Sequence, residues 1–134
     1  MRYKLLEHTA DVMVKAYGAD LEECFGNAAY ALMDQMVHAE TIAEKVRYEF
    51  DAEGFDIESL LLNFLSEFLF IQDTKRLVFH KFEVKISGLS LHCTAWGEEI
   101  DPERHQAKGE VKAITYHMMK IDLDEPSVTV LFDI

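Results

Sequence analysis

Hydrophobic positions recur along this chain at two periods, and the switches between them outline its elements. Residues 1–6 read as a short strand and Val12–Tyr17 as a second, with Val12, Val14 and Ala16 alternating with Met13, Lys15 and Tyr17. Asp20 then opens a helix, with Glu23 three residues on as in a capping box. Leu21, Cys24, Phe25, Ala28, Leu32 and Met36 follow at steps of three and four and make one apolar face. Residues 44–50 return to period two, Val46, Tyr48 and Phe50 opposing Lys45, Arg47 and Glu49. Over residues 56–72 apolar side chains cover most of a helix, leaving a narrow polar stripe at Ser59, Asn63, Ser66 and Glu67. That predicts a helix buried between two layers. Strands alone follow: 77–86, a tight turn at Ser87-Gly88, then 89–96 with Leu89, Leu91, Cys93 and Ala95 sharing a face. Residues 97–111 are polar and turn-rich, with a helical turn expected around 102–105, and two last strands, 112–123 and 128–132, are joined by Asp124-Glu125-Pro126-Ser127.

Consecutive strands with short connections pair antiparallel, so the expected class is α+β: two helices packed against mainly antiparallel sheet. No Pro-, Gly- or Ser-rich linker and no internal repeat divides the 134 residues, which predicts one domain over 1–134.

Charge narrows the function classes. Against 13 Lys and Arg stand 25 Asp and Glu, a formal charge of −12. Phosphate neutralisation supplies most nucleic-acid affinity, so autonomous nucleic-acid binding is not expected, and anionic membrane surfaces are disfavoured for the same reason. The acid is uneven: residues 1–75 carry 6 basic and 15 acidic side chains, whereas residues 76–134 carry 7 and 10 and contain the locally basic Lys108, Lys112 and Lys120. Most carboxylates, among them Glu22, Glu23, Glu98 and Glu99, read as solvated surface. Cys24 and Cys93 form no Cys-x-x-Cys pair and read as reduced core thiols, consistent with a cytoplasmic protein. No signal peptide and no membrane span are expected, because Glu7 and Asp11 interrupt the first apolar run and residues 57–71 are short and broken by polar side chains.

Three clusters carry candidate chemistry. Glu7-His8-Thr9-Ala10-Asp11, between the first two strands, packs metal- or proton-binding groups together, or is a loop capped by Asp11 or Thr9. At the chain end, Phe132-Asp133-Ile134 is either a frayed tail or, if the last strand reaches Phe132, an ordered pair of carboxylates. With Asp11 it would give three oxygen donors of the kind that hard divalent cations take. The third cluster runs from His105 through Lys108, Gly109 and Lys112 to Tyr116 and His117. Strand alternation would put Lys112, Ile114 and Tyr116 on one face, where such a set binds phosphate or carboxylate, or is simply a solvated strand. Zinc spacing, a Gly-x-Ser-x-Gly elbow and nucleotide fingerprints are absent, and His92 and Cys93 should point to opposite faces. A Cys–His catalytic pair stays open, although Cys24 lies on an apolar helix face.

Glu7-His8-Thr9-Ala10-Asp11-Val12, the helix start Leu21-Glu22-Glu23-x-Phe25-x-Asn27-Ala28-Ala29, the strand Val111-Lys112-Ala113-Ile114-Thr115-Tyr116-His117 and the terminal Asp133-Ile134 together resemble the archease family, in order and over essentially the whole chain. The resemblance implies a small cytoplasmic accessory protein of the RtcB-type tRNA-splicing RNA ligase. Such a protein promotes guanylylation of the ligase and its repeated turnover and is not itself an enzyme. It also implies a divalent-cation site (Ca²⁺, or Mg²⁺ or Mn²⁺) made by Asp11, Asp133 and the carboxylate of Ile134. His8, Lys108 and Lys112 are then candidate contacts to the partner or to phosphate. The rival reading is a stand-alone metal-dependent hydrolase or phosphotransferase using Asp11, His8 and Lys112.

Overall fold

A computed structural model describes residues 1–6 and 11–134 of the chain. In order it contains β1 (Tyr3–Leu6), β2 (Val12–Tyr17), α1 (Leu21–Met36), a short 3₁₀ turn (Ala39–Thr41), β3 (Val46–Glu53), α2 (Ile57–Lys75), β4 (Leu77–Ser87), β5 (Ser90–Glu99), β6 (Ala113–Asp122) and β7 (Ser127–Asp133). The class is the expected α+β, with the antiparallel strands divided between two sheets. One sheet has the order β1-β2-β7-β6 and the other β3-β5-β4. Both helices touch strands of both sheets, so they form the middle layer. The four-stranded sheet joins the first and last parts of the chain, because β2 pairs with β7. No helix among the described residues is long and apolar enough to cross a membrane.

The helix ends follow from local chemistry. Asp20 accepts the Glu23 N–H at 2.8 Å, and Glu23 reaches back to the Ala19 N–H at 3.2 Å. At α2 the Asp56 carboxylate takes the Ser59 N–H while Ser59 Oγ takes the Asp56 N–H, a reciprocal cap, and Arg76 closes the helix in the left-handed region. Between the sheets, Phe64 and Phe68 of α2 meet Phe25 of α1 and Phe50, Phe79 and Phe82 of the three-stranded sheet, edge-on or offset, at 5.2–6.0 Å between ring centres. The β4–β5 turn uses Gly88 at φ +63, the one position of a two-residue hairpin that needs glycine's freedom.

Helix α2 lies between the two sheets as expected, but its exposed stripe differs in detail: Phe70 lies in it, 60% exposed, while Ser59 is buried at the cap. Leu89 belongs to the turn and is exposed, whereas Leu91, Cys93 and Ala95 are buried as expected. Met13 is buried although it alternates with the buried Val14, while Lys15 and Tyr17 on its face of β2 are half-buried. Residues 102–106 form turns, and the bond from the His105 N–H to Asp101 O at 2.8 Å closes the single helical turn expected there.

Candidate functional site

The last β2–β7 pair is Val12 opposite Phe132, which sets Asp11 and Asp133 one position beyond it on adjacent strands. On the other side of β7, Asp133 pairs with Ala113, and its carbonyl accepts the Lys112 N–H at 2.7 Å. Asp133 is therefore flanked by β2 and β6, and Phe132, fully buried, pins the strand to its penultimate position. Strand β7 runs to Asp133, so the chain end follows the ordered alternative and not the frayed one. Asp11 is half-buried, while Asp133 and Ile134 are exposed. His8, with the rest of residues 7–10, lies outside the described residues.

The two lysines are used differently. Lys108 donates from Nζ to the Asp34 carbonyl at 2.8 Å, sits 3.6 Å from Asp34 Oδ1, and donates its backbone N–H to Met36 O. Its charge thus serves the carbonyl end of α1, where cations are favoured. Burial works to raise the Asp34 carboxyl, but bonds from Tyr3 Oη, the Ala39 N–H and Lys108 hold it below the usual range. Lys112 has an exposed side chain and lines a pocket of about 240 Å³ with Gln72, Asp73 and Glu110. Gln72 Oε1, from a residue lining that pocket, is buried without a hydrogen-bond partner among the described residues.

The shared face expected for Lys112, Ile114 and Tyr116 does not persist. Ile114 turns into the core, and pairing shifts between Thr115 and Lys120, five steps on β6 against two on β7. Within this bulge Met118 adopts φ +59, and Tyr116, His117 and Met118 are exposed. His105 is corrected as well: it is fully buried, bonded through Nε2 to Glu98 Oε2 at 3.0 Å, and cannot meet a ligand. Glu98, expected on the solvated surface, is 4% exposed and also takes the Ala43 N–H, Arg104 Nη2 and, at 3.8 Å, Lys45. Glu22 likewise accepts the Ile86 N–H at 2.6 Å, capping the edge of β4. No sequence spacing signals these partners, because they are 55 and 64 residues away.

Burial pushes the Cys24 thiol up to about 11, with Asp20 and Glu23 adding to it, and Cys93 up to about 12. Both are protonated near neutral pH, so neither serves as a thiolate nucleophile. His92 and Cys93 do face opposite sides: Cys93 is buried, while His92 lies between Asp51 and Glu49 on the outer face of the three-stranded sheet. Among the described residues no group of three His, Cys, Asp or Glu side chains gathers as a metal cluster. Among the described residues the Asp11–Asp133 corner offers two carboxylate side chains, hard oxygen donors of the kind that a Ca²⁺- or Mg²⁺-type ion takes.

The archease protein family matches residues 3–134 of this chain. The protein archease of Pyrococcus abyssi is 50% identical over 125 residues, spanning 90% of this chain and 88% of that one. That of Pyrococcus furiosus is 48% identical over 120 residues, 87% and 84% of the two chains. The solution structure of Methanobacterium thermoautotrophicum protein 1598 superposes with a TM-score of 0.75 at 41% identity, covering 99% of each chain. Identity at this level, sustained from the first strand to the last residue and accompanied by the same fold, leaves one conclusion: the chain belongs to the archease family.

Proposed function

We propose that this protein is an accessory factor of an RtcB-type RNA ligase in tRNA splicing. It promotes guanylylation of the ligase and repeated turnover and does no ligation itself. It acts in the cytoplasm and leaves the RNA to the ligase, since a chain of charge −12 repels a polyphosphate backbone. Asp11, Asp133 and the Ile134 carboxylate would hold one divalent cation, Ca²⁺, Mg²⁺ or Mn²⁺. Such an ion neutralises phosphate charge in a transfer reaction. The supporting observation is the β2–β7 register, which sets Asp11 and Asp133 side by side although 122 positions separate them. Lys112, bonded through its backbone to Asp133, fixes the corner from β6 and is a candidate phosphate contact.

The test is guanylylation of the cognate ligase at substoichiometric amounts of this protein, with calorimetric titration of Ca²⁺ and Mg²⁺ alongside. Asp11→Ala, Asp133→Ala and deletion of Ile134 should each reduce both stimulation and ion binding. Stimulation equal to wild type in all three variants would refute the site. Metal-dependent turnover of a small phosphoester by the protein alone would favour the hydrolase instead.

A further inference from the structure

Phe55 stands at the entry to α2 with its side chain 95% exposed. A hydrophobic residue just before an N-cap ordinarily folds back onto the fourth helical residue as a staple. Here that residue, Leu60, is buried in the core and Phe55 does not cover it. Its backbone, by contrast, is fixed. The Phe55 N–H donates to Ser59 Oγ at 2.7 Å, and the Gly54 N–H donates to Leu89 O at 2.9 Å. The second bond ties the β3–α2 turn to the β4–β5 turn, whose Leu89 is also exposed. Two exposed apolar residues thus stand on turns whose backbones are bonded to each other, so little backbone entropy remains to be lost when they are covered.

Single exposed apolar residues are common and need no explanation. This pair differs in its fixed backbone and in its surroundings. Glu53, Asp56 and Glu58, all exposed, lie within three residues of Phe55, and none of residues 53–58 is basic. An acidic collar around an apolar anchor repels a second copy of the same patch and an anionic lipid surface. It complements an apolar socket rimmed by Lys and Arg.

We infer that Phe55, with Leu89 beside it, is a docking anchor for a basic partner protein, inserting into an apolar socket with a cationic rim. The inference rests on the proposed function, since an enzyme that grips RNA must carry basic surface. Helix α2 has 19 residues, a length of about 28 Å at the usual rise. Its far end, at Gln72 and Asp73, borders Lys112 beside the Asp133 corner, so anchor and cation site occupy opposite ends of one helix. Docking and activation should therefore be separable.

Binding of the purified protein to its cognate ligase, followed by calorimetry, tests this. Phe55→Ala should weaken binding by at least about 30-fold, the loss typical of an interface anchor, without changing the melting temperature. Glu53→Lys should weaken it several-fold and flatten its salt dependence. Asp133→Ala should bind as wild type while failing to stimulate. Wild-type affinity for Phe55→Ala overturns the anchor and leaves the proposed function standing. No binding by the wild-type protein overturns both. Self-association that Phe55→Ala abolishes would assign the patch to a second copy and overturn the inference.

Discussion

His105 is clamped between two partners, its Nδ1 accepting the Asp101 N–H at 2.9 Å and its Nε2 bonded to Glu98 Oε2 at 3.0 Å. This pair closes a strap of turns, residues 100–112, over the end of α1. The strap is also bonded there by His38 N–H to His105 O and by Lys108 N–H to Met36 O. It ends at Lys112, the neighbour of Asp133.

Burial works to raise the Glu98 carboxyl, but bonds from the Ala43 N–H, His105 and Arg104 outweigh it and hold it down to about 2. A depressed carboxyl stabilises the fold above its unfolded value, near 4.3, and that contribution is lost as pH falls from there through about 2. Denaturant titrations between about pH 5 and pH 2 should show a steeper loss of stability in wild type than in Glu98→Gln. Parallel curves would mean that Glu98 is not ionised in its buried setting. At neutral pH Glu98→Ala should cost about 3–5 kcal/mol, because it strands the His105 and Ala43 donors and leaves Arg104 without its carboxylate.

His92 bridges Asp51, at 2.6 Å from Nδ1, and Glu49, at 3.0 Å from Nε2. Both carboxylates favour the charged ring, which can donate from both nitrogens, and the bond to Asp51 is the main cause of a raised histidine value. The stabilisation is present below the unfolded value near 6.5 and is lost as pH rises through the folded one. An NMR titration should place the His92 midpoint above about 6.5, and Asp51→Asn should lower it. A midpoint at or below that of a free histidine would contradict the bridge.

Gly97 faces β4 so closely that a Cβ there would lie 1.8 Å from Val78 O and 2.7 Å from Phe79 Cα. These are backbone atoms beside the Phe79–Lys81 bulge, so neither can swing aside. Gly97→Ala should destabilise by about 3 kcal/mol or more, by prising β4 from β5. A melting temperature within error of wild type would show that the bulge can absorb the methyl group.

Gln72 Oε1 is buried without a donor among the described residues, and such an atom costs about 1–3 kcal/mol. Gln72→Met keeps the length of the side chain and removes the polar atom, so equilibrium unfolding should show it neutral or up to about 1 kcal/mol more stable. Destabilisation would show that the oxygen has a partner in solution, such as a bound water.

Much of the local structure was legible. The two helix starts, at Asp20 and Asp56, rest on capping bonds spanning three residues, and the strands' periodicity depends only on which side chains face inward. What stayed hidden was contact at long range. Glu98 looked like solvated surface because its partner Ala43 lies 55 residues back, and Glu22 because it caps Ile86 from a different element. The β6 bulge was invisible since alternation continues unbroken on paper through Tyr116, while register depends on the partner strand. Phe55 and Phe70 carry the same hydrophobic symbol as buried phenylalanines, and only packing separated them.

The sequence by itself determined the α+β class, the order of helices and strands, the excess of acid and the family, because these depend on composition, periodicity and motif identity. Only the tertiary structure decided that the strands form two sheets with the helices between them, and that β2 pairs with β7. That pairing brings Asp11 beside Asp133 from opposite ends of the chain. Backbone hydrogen bonds between strands carry no residue-specific label, so which strands meet is fixed by how the apolar faces of both helices are jointly covered.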